Sequence, residues 1–207
     1  MVRELGDVWR RYGERVVVVD NADCGSHVYA WADEVITWPK DPGHNGLEQC
    51  RRHLRCAEVA AGLPGVTALL EGDAFVTRDD FEVLPDVFYG SRLWDAWSFR
   101  DVKNPVCRWF VHPPYVADQP TWGKIAEVLR WWLKSGRICD DGHSDRVLCI
   151  AAQAAQVRVV GIGWSRNTVT DKDAASLTEA LAAGVPLIHG VKDVRYVAGW
   201  LLQQKRE

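Results

Sequence analysis

The feature that most constrains this chain is the stretch over residues 66–75, an apolar run that ends in two carboxylates. Its sequence is Val-Thr-Ala-Leu-Leu-Glu-Gly-Asp-Ala-Phe, and the turn-forming pair Pro64-Gly65 precedes it. An apolar run of this length predicts a central parallel strand of an α/β sheet. Ligands of such sheets bind beyond the carboxyl ends of the strands. Glu71 and Asp73 are therefore expected on one side of the backbone, over a cleft.

The two carboxylates are separated by a single glycine, and they repel each other unless a positive charge lies between them. A hard divalent cation satisfies both, and such a cation brings phosphate groups to the site. Glu71 and Asp73 are therefore candidate metal ligands. The alternative is a strand that is followed by an acidic surface turn.

Length and composition bound the protein class. The chain has 207 residues, which suffice for one α/β domain with a core, and its net charge of -3 does not indicate a nucleic-acid binder. Its six cysteines form no Cys-x-x-Cys pair and follow no signal peptide, so we expect reduced thiols in a cytoplasmic protein. No apolar run reaches membrane-spanning length, and no membrane partner is expected.

Hydrophobic periodicity predicts alternating helices and strands in a single domain over residues 1–207. Helices are predicted for residues 2–12, 47–61, 121–135, 144–156, 173–183 and 194–204, and strands for residues 16–20, 33–38, 66–75, 157–160 and 185–188. Residues 76–120 are predicted to be irregular. The helix over 121–135 is the clearest, with a buried stripe formed by Ile125, Val128, Leu129, Trp132 and Leu133.

Two further segments precede the acidic strand, and the order of the three segments along the chain indicates a class of protein. Residues 15–21, Arg-Val-Val-Val-Val-Asp-Asn, predict a strand with a polar end, and residues 43–52, Gly-His-Asn-Gly-Leu-Glu-Gln-Cys-Arg-Arg, predict a loop that enters a basic helix. With Glu71-Gly72-Asp73 in the place of an Asp-x-Asp metal motif, this order resembles the GT-A glycosyltransferases, which use nucleotide-sugar donors. The wording of residues 70–75 is most similar to small phage-encoded members.

The resemblance, which covers residues 15–192, implies the fold. It implies a single GT-A-like (Rossmann-like) α/β domain with a mixed, mainly parallel central sheet. Residues 1–75 and 185–195 would bind the donor, and residues 76–170 would face the acceptor. The strand that usually opens this fold has no counterpart here, because Met1 falls directly at the first predicted helix. We therefore expect that the strand has been lost, that an in-frame strand is encoded upstream, or that another segment replaces it.

The resemblance also implies a metal and a donor. Mn²⁺ or Mg²⁺ would be bound directly by Asp73, with Glu71 on the metal or on the ribose. His189 would complete the metal shell and Lys192 would neutralise the diphosphate; the alternative is a histidine that caps the turn after a strand. A UDP-sugar is the favoured donor, and its further contacts would be Asp20, Asn21, Asn45, Gly46 and Arg51.

A candidate general base lies in residues 140–146, Asp-Asp-Gly-His-Ser-Asp-Arg, at the start of a predicted helix. In inverting enzymes of the GT-A class a carboxylate at such a junction takes the proton from the acceptor hydroxyl. Asp145 is the first choice and Asp141 the second. The alternative is ordinary helix-start chemistry, because acids stabilise the first turn of any helix. A retaining enzyme would need no such base.

The candidate acceptor-binding segment is basic and rich in tryptophan. Residues 92–137 hold six of the 11 tryptophans and carry a net charge of +4 in a chain of net charge -3. Such a segment fits base stacking and phosphate contacts, and the expected residues are Trp131, which falls off the buried stripe of its helix, with Lys124 and Arg130. Trp164 and Arg166 follow Gly161-Ile162-Gly163, where the glycines would allow close approach of a sugar.

These features favour a metal-dependent glycosyltransferase. The favoured acceptor is a hydroxymethylated pyrimidine in phage DNA, such as 5-hydroxymethylcytosine, which would have to be flipped out of a duplex to react. A carbohydrate or protein acceptor is the first alternative, because tryptophan also stacks on sugar rings. A non-catalytic module that binds nucleotides or sugars is the second.

Overall fold

The computed structural model describes residues 6, 9–10, 13–20, 29–38, 46–71, 74–78, 80–95, 109–136, 144–165 and 171–190. Within these ranges the chain forms a mixed α/β fold of eleven strands and four helices. In chain order they are β1 Val17–Asp20, β2 Glu34–Thr37, α1 Gly46–Gly62, β3 Val66–Leu69, β4 Ala74–Val76, β5 Val87–Gly90, β6 Leu93–Asp95, β7 Trp109–Val111, β8 Tyr115–Asp118, α2 Gln119–Ser135, α3 Ser144–Ala154, β9 Arg158–Gly161, β10 Gly163–Ser165, α4 Asp171–Ala182 and β11 Leu187–His189.

The largest sheet has the strand order β3-β8-β5-β9. β8 is antiparallel to both of its neighbours and β5 is parallel to β9, so β3, β5 and β9 all run in the same direction. A second sheet has the order β10-β11-β4, with β11 parallel to β10 and antiparallel to β4. The remaining pairs are parallel β1-β2 and antiparallel β6-β7.

The single strand predicted over residues 66–75 is wrong. The stretch contributes β3 to one sheet and β4 to another, and the chain changes sheets at a turn in which the Ala74 amide donates to the Glu71 carbonyl at 3.1 Å. β3 is antiparallel to β8, and Val66 is 54% exposed. Both observations fit an edge strand and not a central parallel strand. Of the seven strand pairs among the described residues three are parallel, so the sheets are mixed but not mainly parallel.

The prediction that residues 76–120 are irregular is also wrong, because β5 to β8 lie within them. All four residues of β5 are buried. Its run of Val-Phe-Tyr-Gly follows Pro85 and is too short to show a period, which is why pattern analysis misses it. The pairing of Val87 with Arg158 and of Gly90 with Gly161 makes β5 the inner strand next to β9.

The helix predicted for residues 121–135 is confirmed as α2, which begins two residues earlier. The Asp118 carboxylate caps it by accepting from the Thr121 amide at 2.9 Å, and Gly136 ends it with a φ of 67°. The predicted stripe faces the core. Ile125, Leu129 and Trp132 are buried, and Val128 and Leu133 are half-buried against the same cluster.

The core lies between helices α1 to α3 and the four-stranded sheet. Trp122 is fully buried, lies edge-on to Phe88 at 5.4 Å and donates its indole N–H to the Thr67 carbonyl at 3.1 Å. Phe88 also stacks on Tyr115 at 5.2 Å. These rings join β3, β5 and β8 to α2, so the hydrophobic contact of one helix holds three strands in place.

The predicted helix over residues 194–204 lies outside the described residues, and so does most of the one over 2–12, of which residues 6 and 9 are helical. The predicted strands over 16–20 and 33–38 are confirmed as β1 and β2, and the helix over 47–61 as α1. None of the helices in the described ranges has the length and apolar character needed to cross a membrane.

Two glycines allow backbone segments to approach each other closely around β9 and β10. A Cβ atom on Gly163 would lie 2.0 Å from the Leu187 carbonyl oxygen, and one on Gly161 would lie 2.1 Å from the Leu93 nitrogen. Because both obstacles are backbone atoms, no side-chain movement can relieve the clash. The residues Gly161-Ile162-Gly163 therefore join the β9 and β10 strands at a point where only glycine fits.

We expect Gly163→Ala to lower the free energy of unfolding by about 1–3 kcal/mol or more, the usual cost of overpacking. Urea denaturation followed by circular dichroism measures it. Gly123→Ala is the matched control, because nothing lies within 4 Å of a Cβ there. Gly123 is inside α2, where alanine should raise stability by up to about 1 kcal/mol. Equal effects of the two substitutions would contradict the packing argument.

Candidate functional site

The candidate site is centred on the turn between β3 and β4. Glu71 follows β3 and is exposed, and its carbonyl accepts the hydrogen bond from Ala74. β4 pairs with β11 in a register that sets Ala74 opposite His189. Ala74 is the residue after Asp73 in the sequence. Two of the three predicted metal ligands are therefore backbone neighbours of Ala74. Glu71 accepts its amide hydrogen bond, and His189 is its partner across the strand pair.

His189 is held in a defined orientation. It is buried, with 9% of its surface exposed, and its Nδ1 atom lies 3.1 Å from the Oγ atom of fully buried Ser165. The β10-β11 register sets these two residues opposite each other. In the tautomer that donates from Nδ1 to the Ser165 hydroxyl, the lone pair is on Nε2, which is the form of imidazole that binds metals. The donor chemistry at this position therefore fits a metal ligand.

A third ligand is not shown. Among the described residues no three His, Cys, Asp or Glu side chains are close enough together to hold a metal ion. Asp73, the predicted direct ligand, lies outside those residues. The metal site therefore stays a prediction that the arrangement around Ala74 fits.

Sequence reasoning missed His112. This residue is buried, and its ring stacks on that of His189 with centroids 5.0 Å apart and an interplanar angle of 27°. Its carbonyl accepts from the Ser91 amide at 2.9 Å, which ties it to the end of β5. His112 directly follows β7 and precedes Pro113-Pro114, which cannot continue a strand. A histidine at a strand end before two prolines was the available signal.

The start of α3 packs on the same ring cluster. Arg146 is buried, and its guanidinium carbon lies 5.3 Å from the centre of the Phe110 ring, which in turn lies 5.5 Å from His112. Asp145 precedes Arg146 in this first turn, so the helix start that carries the predicted base approaches the histidine pair through Phe110. The Asp145 side chain and the whole of Asp141 lie outside the described parts of the structure.

A second cluster joins α1 to the end of the β1-β2 pair. The Trp38 amide donates to the carbonyl of Asp20, a buried residue at the end of β1, at 2.7 Å. The guanidinium carbon of Arg55 lies 5.4 Å from the centre of the Trp38 ring, a cation–π contact. Arg52 lies one turn before Arg55 on the same face of the helix. We call Trp38, Arg52 and Arg55 the arginine cluster.

The arginine cluster differs from the predicted donor contact on this helix. Arg51 is exposed, whereas Arg52 and Arg55 are half-buried. The Nε atoms of Arg52 and Arg55 are buried, and each lacks a hydrogen-bond partner within the part of the chain that the structure describes. Buried guanidinium donors need acceptors, so these two side chains are better candidates than Arg51 for an anionic ligand.

The Cys56 thiol connects this cluster to the acidic turn. Burial raises its pKa to about 11, the negative charge of Glu71 acts in the same direction, and the positive charges of Arg52 and Arg55 oppose it. The thiol therefore lies within the electrostatic reach of all three charges. Glu71 thus acts on the same thiol as the guanidinium groups of α1, and its turn leads through Ala74 to His189.

The raised pKa predicts a specific loss of stability in alkali. Because the thiol pKa is higher in the folded protein than the ordinary value of 9.0, its stabilising contribution is complete below pH 9 and is lost as the pH rises through about 11. Urea midpoints measured at pH 8 and pH 10.5 should fall further in the natural protein than in Cys56→Ala. Equal falls in the two proteins would show that the thiol titrates normally.

The other predicted donor and sugar residues are placed only in part. Gly46 opens α1, and Trp164 is a half-buried residue of β10 that pairs with Ile188. The close approach that Gly161 and Gly163 allow is made by the backbone of Leu93 and Leu187, and the sugar site around Trp164 stays a prediction. Outside the described residues lie Asn21, Asn45, Arg166 and Lys192.

The predicted acceptor residues lie on α2. Trp131 is 53% exposed, which confirms that it is off the buried stripe. Lys124 pairs with Asp86, and Arg130 pairs with Glu58 at 2.9 Å, so both cations already have acidic partners. Asp86 immediately precedes β5, whereas Glu71 follows the end of β3, which runs in the same direction. Lys124 therefore lies at the end of the sheet where β5 begins, and Glu71 lies at the opposite end.

A scan against protein-family models finds no match for this chain, and a search of curated proteins finds no significant relative. The resemblance to GT-A glycosyltransferases therefore rests on the order of the sequence motifs. The residues of the chain itself therefore carry the functional proposal.

Proposed function

We propose that this chain is a metal-dependent glycosyltransferase that moves a sugar from a nucleotide-sugar donor, preferably a UDP-sugar, to a hydroxyl group. The observation that supports this most is the position of the acidic turn. On one side, the charge of Glu71 and those of the Arg52 and Arg55 guanidinium groups act on the same Cys56 thiol, and on the other side its turn leads to buried His189. Cations around a carboxylate-bearing strand end suit a diphosphate bound through a metal.

In this proposal the arginine cluster holds the donor diphosphate. Guanidinium groups bind phosphate oxygens through paired hydrogen bonds, and Arg52 and Arg55 have buried Nε donors. Asp20 and Asn21, at the end of β1, would contact the nucleoside, with Asn45 and Gly46 at the start of α1. Lys192 would add a further positive charge. The donor would thus lie beyond the carboxyl ends of β1 and β2, the usual ligand position in α/β folds.

Asp73, Glu71 and His189 would hold the metal. An imidazole beside carboxylates favours Mn²⁺, while carboxylates alone also accept Mg²⁺. When bound, the ion would neutralise charge on the departing nucleoside diphosphate. Ser165 would act on His189 by fixing the ring and its tautomer through the 3.1 Å contact with Nδ1. If configuration is inverted, Asp145 takes the proton from the acceptor hydroxyl, with Asp141 as the second choice.

A hydroxymethylated pyrimidine in phage DNA remains the favoured acceptor, through the stacking and charge of the 92–137 segment. A carbohydrate acceptor is the second candidate, and a specific observation supports it. Lys124 and Arg130 are each paired with a carboxylate, which reduces the positive charge available to phosphates. Trp164 and Arg166 would contact the acceptor or the sugar in either case.

The direct test of the reaction is mass spectrometry of nucleosides from hydroxymethylated DNA after incubation with the protein, Mn²⁺ and a panel of nucleotide sugars. We expect a hexose-sized mass gain. Transfer only to added oligosaccharides would favour the carbohydrate acceptor. Donor binding without any transfer would indicate a non-catalytic module.

The metal assignment predicts that Asp73→Asn abolishes Mn²⁺-dependent donor binding without unfolding the protein, because the substitution removes charge and not volume. Titration calorimetry with UDP-glucose, with and without Mn²⁺, measures it. Asp80→Asn is the matched control, since Asp80 is an exposed carboxylate that pairs with Arg78. A donor affinity that does not depend on Mn²⁺ in the natural protein would refute the metal site.

The arginine cluster predicts that Arg52→Ala and Arg55→Ala each weaken donor binding by about tenfold to a hundredfold, since a hydrogen bond to a charged group contributes about 1.5–3 kcal/mol. Arg51→Ala should have a smaller effect, because that side chain is exposed. The same calorimetric titration compares the three variants. A larger loss in Arg51→Ala than in the other two would reverse the assignment in favour of the residue expected from sequence.

A further inference from the structure

The outer face of α2 forms an open groove with a volume of about 410 Å³, which we call the α2 groove. Its lining residues are Lys124, Glu127, Val128, Trp131 and Ala155. We propose that the α2 groove is a carbohydrate-binding subsite that takes one neutral pyranose ring on the face of Trp131. The binding of a sugar here does not depend on the proposed reaction, but its role as an acceptor subsite rests on the proposed function with a carbohydrate acceptor, the second candidate above.

The indole of Trp131 is available for a ligand. It is 53% exposed, although α2 buries Trp122 and Trp132 nearby. The core contacts of the helix are made by its other face, so Trp131 is not needed to hold α2 in place. Half-buried Val128 continues the apolar surface beside it. Trp131 and Val128 together offer an apolar face that a ligand can cover.

The polar groups at the groove favour a neutral ligand with many hydroxyls. Lys124 and Glu127 are three residues apart on the helix and carry opposite charges, so the lining has no net charge. Lys124 also pairs with exposed Asp86, which brings a second carboxylate to this edge. A pyranose offers an apolar C–H face to an indole and hydroxyl groups to an ammonium and to carboxylates. A nucleic-acid backbone would instead meet two like charges.

The location separates a sugar bound in this groove from the acidic turn. The partner of Lys124, Asp86, precedes β5, and Ala155 precedes β9, so both residues lie where these strands begin. Glu71 follows the end of β3, which runs in the same direction as β5 and β9. The α2 groove therefore lies towards the end of the sheet where β5 and β9 begin, away from the acidic turn. There it would hold a distant unit of a longer glycan.

The test uses the indole N–H resonances of the ¹⁵N-labelled full chain, with the Trp131 resonance identified by its loss in Trp131→Phe. The probes are maltohexaose, cellohexaose and chitohexaose, each titrated separately, and a 20-base-pair DNA duplex. We expect at least one oligosaccharide to shift the Trp131 resonance saturably, and the duplex to leave it in place. Trp131→Ala should weaken that binding at least tenfold with an unchanged unfolding midpoint.

Trp109→Ala is the matched control, because Trp109 is also exposed, at 38%, but lies on β7. The proposal is overturned if none of the three oligosaccharides shifts the Trp131 resonance, or if Trp109→Ala weakens binding as much as Trp131→Ala. A shift caused only by the duplex, and weakened by salt, would identify a nucleic-acid surface instead. Asp73→Asn should leave oligosaccharide binding unchanged, so the two proposals can fail separately.

Discussion

The close approach of backbones at Gly161 and Gly163 is the constraint on which the rest of the structure depends. Because neither residue has a Cβ, the chain passes from β9 to β10 directly against Leu93 and Leu187. β11 can then pair with β10 on one side and with β4 on the other. That double pairing sets His189 opposite both Ser165 and Ala74. Two residues that have no side chain thus set the geometry of the candidate site.

Charge is distributed unevenly around the acidic turn. On the side of α1, the half-buried Arg52 and Arg55 face the surroundings of Cys56, and Glu71 opposes their effect on its thiol. On the side of β11, the groups are buried, with two stacked imidazoles and a serine hydroxyl. The positive charges of the first side favour an anionic ligand. The second side offers imidazole nitrogens, which are ligands for a metal ion. This division agrees with a diphosphate and a metal that meet at one turn.

The sequence predicts the local features of this fold better than the long-range ones. The helix α2, its cap at Gly136 and the exposure of Trp131 follow from a 3.6-residue period and a glycine, both of which are local. The division of residues 66–75 between two sheets depends on partners more than forty residues away, and an apolar run carries no information about them. His112 was missed for the same reason, since only the tertiary fold brings it to His189. Arg52 and Arg55 could have been found from their helical spacing.

The turn between β3 and β4 is the joint at which two sheets are connected. A ligand that binds at this joint contacts residues whose positions are set by both sheets, so its binding free energy adds to the stability of each. The relation is reciprocal: any substitution that loosens the β4-β11 pairing weakens the ligand by the same free energy by which the ligand tightens the pairing. For a ligand bound at this turn, heat resistance and ligand affinity would therefore be coupled.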